Sequence, residues 1–273
     1  MTLKLDGELL LLGAGNMGGA MLTGWLAQGL DPKSVLVQDP APPPAIAALL
    51  SKHGIKSAPK IEPARPPAVI LAAVKPQIMD EAFPPVAKFA GPDTVVLSIA
   101  AGKTIAGFEK HLPKNTAVVR SMPNTPASVA RGITAAVGNA HVTAKHKAAC
   151  QSLLEAVGAV VWLDREDLID AVTAVSGSGP AYVFLLAECM TEAGRKAGLP
   201  AETAAQLARW TVAGAGELLH RSDLGADQLR KNVTSPNGTT YAALQVLMSD
   251  KGLQPLMDAA IDAAAKRSKE LAS

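Results

Sequence analysis

Leu9-Leu10-Leu11-Leu12-Gly13-Ala14-Gly15-Asn16-Met17-Gly18 decides the fold of this chain. Four consecutive apolar residues read as a strand buried on both faces. A G-x-G-x-x-G follows at once and opens a helical pattern, the context in which that motif signals a dinucleotide site. Gly13 allows the tight turn, Gly15 lets a pyrophosphate approach the backbone, and Gly18 lets the helix pack closely on the strand. Leu12, Gly13, Ala14, Gly15, Asn16, Met17 and Gly18 are therefore the first candidate cofactor contacts.

The strand–helix alternation continues outward from this stretch. Strands are expected at 8–13, 35–38, 68–74, 94–99, 117–121, 133–137 and 160–163. Helical patterns are expected at 16–27, 44–53, 77–90, 105–111 and 144–157. Apolar strands joined by crossover helices predict a parallel sheet covered on both faces, a Rossmann-type doubly wound α/β fold. After Arg165 the strand signals stop, and 170–198, 201–220, 226–231, 239–250 and 253–271 read as helices. The chain therefore divides into a dinucleotide-binding domain, 1–164, and an all-α domain, 165–273. The later helices carry Ala, Leu and Gly on more than one face, which a small helical domain cannot bury alone. A homo-oligomer interface is the expected outlet.

At 273 residues, 48% hydrophobic and with a net charge of +2, the chain suits two modest soluble domains. Only 3% of its residues are aromatic and it has no basic arm, so a nucleic-acid partner is not expected. No apolar run reaches the length of a membrane span, no signal peptide is evident, and a cytoplasmic location is expected. Cys150 and Cys189 stand alone and the five histidines are scattered, so no metal site is expected.

Asp39 ends the second strand, where an acid accepts hydrogen bonds from the adenine ribose and repels a 2′-phosphate. Alone it favours NADH, although Lys56 and Lys60 are near in sequence and Asp39 also suits a plain turn cap. Ligands of such sheets lie at the carboxyl ends of the strands. Three loops fall there: Val74-Lys75-Pro76-Gln77, Ser98–Gly102 and Met122–Pro126. They add Val74, Lys75, Ala100, Ala101 and Asn124 to the cofactor candidates; Asn124 equally suits a structural turn. Ser176–Tyr182, with Pro180 at a helix start, marks a break in the helical region.

Val233–Leu244 is a polar turn feeding a helix. Asn237 and Gly238 tolerate left-handed backbone angles, and Thr239 and Thr240 sit where helical N–H groups lack partners. That arrangement suits an anion, with two hydroxyls alongside. An ordinary Ser/Thr cap is the plainer alternative.

Gly13–Gly18, 74–77, 98–102, 122–126, 176–182 and 233–244 together resemble the pyrroline-5-carboxylate reductase family, in order and over nearly the whole chain. The resemblance implies NADPH- or NADH-dependent reduction of 1-pyrroline-5-carboxylate to proline. It also implies a C-terminal domain that interlocks two subunits, some members forming decamers. Ser235, Gly238, Thr239 and Thr240 would hold the substrate carboxylate, with Thr240 near the ring nitrogen as the candidate catalytic group. Glu166 and Asn232 match family positions near the ligands, which would make Glu166 a substrate contact and Asn232 a cofactor contact. Asn237 departs from the family's usual glycine, and Asp39 from its usual small hydroxyl residue. The rival readings are a 3-hydroxyacid or 6-phosphogluconate-type dehydrogenase, which needs a helical-domain lysine, and a non-enzymatic dinucleotide sensor.

Overall fold

The computed structural model describes residues 3–272. Eight strands form one sheet: β1 Leu9–Leu12, β2 Val35–Gln38, β3 Lys56–Ala58, β4 Val69–Ala72, β5 Val95–Ser98, β6 Ala117–Met122, β7 Gly132–Gly138 and β8 Gly158–Trp162. Their order is β3-β2-β1-β4-β5-β6-β7-β8. The first six are parallel, the doubly wound arrangement that the alternation predicts.

Two features depart from the expected sheet. β7 runs antiparallel to β6, so the sheet is not wholly parallel. The connection, residues 123–131, holds a single 3₁₀ turn, Thr125–Val129, too short for the crossover of about a dozen residues that parallel pairing needs. β3 is an added edge strand whose three residues are largely exposed, so it carries no apolar signal.

β1 shows why the leading leucines form a strand. Leu9 and Leu11 join one core, with Met21, Leu22 and Trp25 of α1 (Asn16–Ala27) and Leu153 and Leu154 of α6 (Ala144–Glu155). Leu10 and Leu12 join the other, with Met79 of α3 (Pro76–Ala82), Val86 of α4 (Pro84–Ala87) and Phe108 of α5 (Ile105–Glu109). The period-two alternation of a strand thus feeds both layers. Trp25 Nε1 donates to Leu153 O at 2.7 Å, so α1 and α6 share a satisfied buried polar contact as well as apolar surface. The expected helix 77–90 breaks between Ala82 and Pro84, where proline cannot continue the ladder. α2 occupies Pro44–His53.

The chain forms two compact units. One runs to Gly177 and takes back the chain from Ala265 onward; the other is Ser178–Ala264. The composition shift near 164 marks where strands end, while α7 (Ile169–Val172) and the π turn Thr173–Gly177 group with the sheet. Within the sheet unit, Ser268 Oγ donates to Asp170 Oδ1 at 2.6 Å, anchoring the end of α12 (Leu253–Leu271) beside α7.

The second unit contains α8 (Gly179–Lys196), α9 (Ala201–Arg221), α10 (Ala226–Asn232), α11 (Thr239–Leu247) and the first part of α12. Among its described residues only Ala204 and Ala208 are buried apolar ones, whereas Phe184, Leu185, Leu207 and Trp210 stand exposed. Helices apolar over so much uncovered surface need a further protein surface to cover them. The stretch Glu166–Lys196 is long and apolar enough to cross a bilayer by length and composition alone.

Candidate active site

The glycine loop has three distinct physical demands. Gly13 has φ +92°, and a Cβ there would lie 2.8 Å from Val74 Cγ1, so both backbone and packing require glycine. A Cβ on Gly18 would meet Gly13 O at 2.3 Å, so the helix can approach the loop only without one. A Cβ on Gly15 would meet nothing within 4 Å. Glycine is not needed at Gly15 for the fold of the chain itself; the open space beside it is what a close-lying ligand requires. Gly15 is also the N-cap of α1 and no side chain caps that helix, leaving its first-turn amides for an anion. These observations fit a dinucleotide pyrophosphate. Asn16 is exposed and Met17 packs on the first core, while Leu12 is buried in β1.

Asp39 does double duty at the end of β2. Its Oδ2 accepts from Ala14 N at 2.7 Å and its Oδ1 from Ala41 N at 2.8 Å. The carboxylate therefore caps the turn and also grips the glycine loop.

The three strand-end loops lie on this same edge of the sheet. Val74 touches Gly13, as above, and exposed Lys75 precedes α3 at its N-cap. After β5, Ala100 is buried and Ala101 exposed, and Ala100 N donates to Ser98 Oγ at 3.2 Å. Lys103 pairs with Asp80 at 2.8 Å; hydrogen bonding from that ammonium holds the Asp80 carboxyl below its ordinary range. Asn124 uses both ends of its amide in structure: Oδ1 accepts from Ile133 N at 2.9 Å and Nδ2 donates to Ser176 O at 3.2 Å. Of the two readings open for Asn124, the turn-holding one has its partners in the structure.

Glu166 is similarly engaged. Its Oε1 accepts from Arg120 Nη1 at 2.8 Å and from Ile105 N at 2.9 Å. Arg120 was not foreseen from sequence, yet the signal was there: one arginine inside Ala117–Met122, a strand otherwise without charge.

In the helical unit, Ser235-Pro236-Asn237-Gly238 makes the expected tight turn into α11. Asn237 adopts φ 58°, the left-handed angle that asparagine tolerates. Gly238 N donates to Ser235 O at 3.1 Å, and Gly238 is an N-cap with no side-chain cap bond. The threonines therefore do not serve as N-caps; they are the first two residues of the helix, Thr239 exposed and Thr240 half-buried. Asn232 ends α10 and accepts from Gln228 Nε2 at 2.8 Å.

Comparison with known proteins assigns the family. Residues 166–271 match the family described as pyrroline-5-carboxylate reductase dimerisation. Residues 8–102 match that described as NADP oxidoreductase, coenzyme F420-dependent. A pyrroline-5-carboxylate reductase of Pseudomonas aeruginosa is 41% identical, with 97% of each chain covered. One from Mycobacterium tuberculosis is 38% identical over 97% of this chain and 96% of the relative. A solved pyrroline-5-carboxylate reductase from Coxiella burnetii superposes with a TM-score of 0.91 at 35% identity, covering 98% of this chain and 100% of that one. The Plasmodium falciparum pyrroline carboxylate reductase, solved with NADP bound, gives a TM-score of 0.79 at 27% identity, covering 98% and 99%. With relatives this similar along nearly its whole length, the chain belongs to the pyrroline-5-carboxylate reductase family.

Proposed function

We propose that this chain reduces 1-pyrroline-5-carboxylate to proline, with NADH as its preferred reductant. The observation that carries the substrate reading is the start of α11, where an uncapped helix N-terminus is preceded by a left-handed Asn237 and followed by Thr240. A cyclic imine acid needs an anion site for its carboxylate and a polar contact near its nitrogen. The backbone N–H groups of Thr239 and Thr240 at the helix start, with Ser235, supply the first, and the Thr240 hydroxyl the second. Asn232, closing α10 just before this turn, is assigned to the cofactor side by family position. Neither role requires a metal or a titrating base, so orientation and electrostatics carry the catalysis.

The nicotinamide dinucleotide, when bound, supplies the hydride. Leu12 to Gly18 cradle its pyrophosphate, Val74 and Lys75 flank it, and the backbone at Ala100 and Ala101 allows it to lie close. Asp39 favours NADH, because its carboxylate is fixed at the end of β2 by Ala14 and Ala41. A 2′-phosphate there would meet like charge. The exposed apolar helices of Ser178–Ala264 support a homo-oligomer, dimeric or higher. The two rival readings lose ground on the family assignment. The test is oxidation of NADH or NADPH by purified protein supplied with 1-pyrroline-5-carboxylate; folded protein that turns over neither would end the proposal.

A further inference from the structure

The loop after β5, residues 99–104, is held from outside. Ile99, Ala100, Ala101 and Gly102 carry no polar side chain with which to fix their own position. At the front, Ser98 Oγ accepts from Ala100 N, and Ser121 Oγ in turn donates to Ser98 O at 2.8 Å. In the middle, Gly102 has φ +73° and lies so near the last helix that a Cβ would stand 3.0 Å from Leu271 O. At the rear, the first amide of α5, Ile105 N, donates to Glu166 Oε1.

Two of the holds carry charge: Lys103 pairs with the exposed Asp80 at 2.8 Å, and the rear hold is the one that engages a buried ion. Arg120 is the sole Asp, Glu, Lys or Arg buried among the described residues, at 4% exposure. A buried guanidinium is costly unless paired, and Glu166 Oε1 supplies that pairing while accepting from Ile105. One carboxylate oxygen therefore joins β6 to the end of the β5–α5 loop.

We infer that Glu166 is a positioning residue: paired with Arg120, it sets the β5–α5 loop at the place where its backbone meets the dinucleotide. The inference rests on the cofactor reading above. It departs from the family-position expectation that Glu166 contacts the substrate. Removing the carboxylate frees Ile105 N–H and leaves Arg120 unpaired, so the loop shifts and cofactor binding weakens, with the imine site untouched.

The experiment measures the NADH Kd by titration of the full-length protein, and separately the KM for 1-pyrroline-5-carboxylate at saturating NADH. For Glu166→Ala, NADH binding should weaken about tenfold. For Glu166→Gln, whose carbonyl still accepts from Ile105, the loss should be about two- to threefold. The imine KM should stay within about twofold for both. A merely structural pair would lower the melting temperature and leave the NADH Kd unmoved. That result, or a raised imine KM with unchanged NADH Kd, overturns the inference. Should Glu166→Ala not fold, Glu166→Gln decides. The unmutated protein gives an independent check, since the Ile105 amide should exchange slowly without cofactor, and rapid exchange there also overturns it. Failure of the unmutated protein to bind NADH or NADPH would instead strike at the cofactor reading itself.

Discussion

The Ala14 amide donates to Asp39 Oδ2 at 2.7 Å, so the acid at the end of β2 is bound to the loop expected to cradle the pyrophosphate. With Ala41 holding the other oxygen, the carboxylate cannot swing aside to admit a second anion. The unmodified protein is expected to show higher kcat/KM with NADH than with NADPH. Asp39→Ser should move that ratio toward NADPH by about tenfold or more, since it removes the like charge. It should also cost about 1 kcal/mol of stability, because Ala14 N–H loses its acceptor. Kinetics with both cofactors and a denaturation curve read the two effects separately. A strong NADPH preference before mutation would defeat the charge argument.

Gly15 and Gly18 should respond oppositely to the same substitution. At Gly15 an added methyl enters open space at φ −69°, so Gly15→Ala should change stability by no more than about 1 kcal/mol while weakening dinucleotide binding. At Gly18 the methyl would overlap Gly13 O, and Gly18→Ala should destabilise by about 2 kcal/mol or more. Paired melting and titration experiments decide this. Equal loss of stability at both sites would show that Gly15 is constrained by the fold and not by a ligand.

These contrasts show what the sequence could and could not tell. The glycine loop was legible because its demands are local: a strand, a turn and a helix start within ten residues. Asn237 was legible for the same reason, since its left-handed angle belongs to the turn itself. Arg120 and Glu166 were not paired in advance, because they lie on separate elements and only the folded sheet brings them together. Asn124 left two readings open because the same amide suits a ligand or a turn, and its partners Ile133 and Ser176 are set by tertiary structure. The reversal at β7 turned on the length of one connection, and β3 on main-chain pairing with almost no apolar pattern.

Trp210 on α9 is 72% exposed in the single chain, within the unit that leaves most of its apolar side chains uncovered. If that surface is the subunit contact, Trp210→Glu should shift the protein to smaller species in sedimentation velocity. An unchanged oligomer would place the contact on other helices.

Cys150 and Cys189 should differ sharply in reactivity. Burial pushes the Cys150 thiol up to about 12, while Cys189 is exposed on α8. At pH 8 only about one Cys150 in ten thousand would be thiolate, so alkylation should require unfolding. Because the folded value is raised, the associated stability is complete below the unfolded thiol's ordinary range. It declines as pH rises above about 9, through the folded value. Rapid alkylation of Cys150 in the native protein would contradict its burial.

Thr240 is the second residue of α11, half-buried, and its hydroxyl has no role in capping that helix. Its proposed work is contact with the imine nitrogen, so the hydroxyl should matter to turnover and little to cofactor binding. Thr240→Ala is expected to lower kcat by about ten- to a hundredfold with the NADH Kd unmoved, and Thr240→Ser to retain most of the rate. Asn237→Gly, which relaxes the left-handed angle without touching the hydroxyl, should leave kcat near its starting value and shift stability by no more than about 1 kcal/mol. Asn237→Ala should cost about 1–2 kcal/mol, since alanine lacks the polar side chain that eases that angle. If Thr240→Ala weakened cofactor binding as much as turnover, the threonine would be supporting the turn instead of the reaction, because loss of a substrate contact alone leaves the dinucleotide site intact.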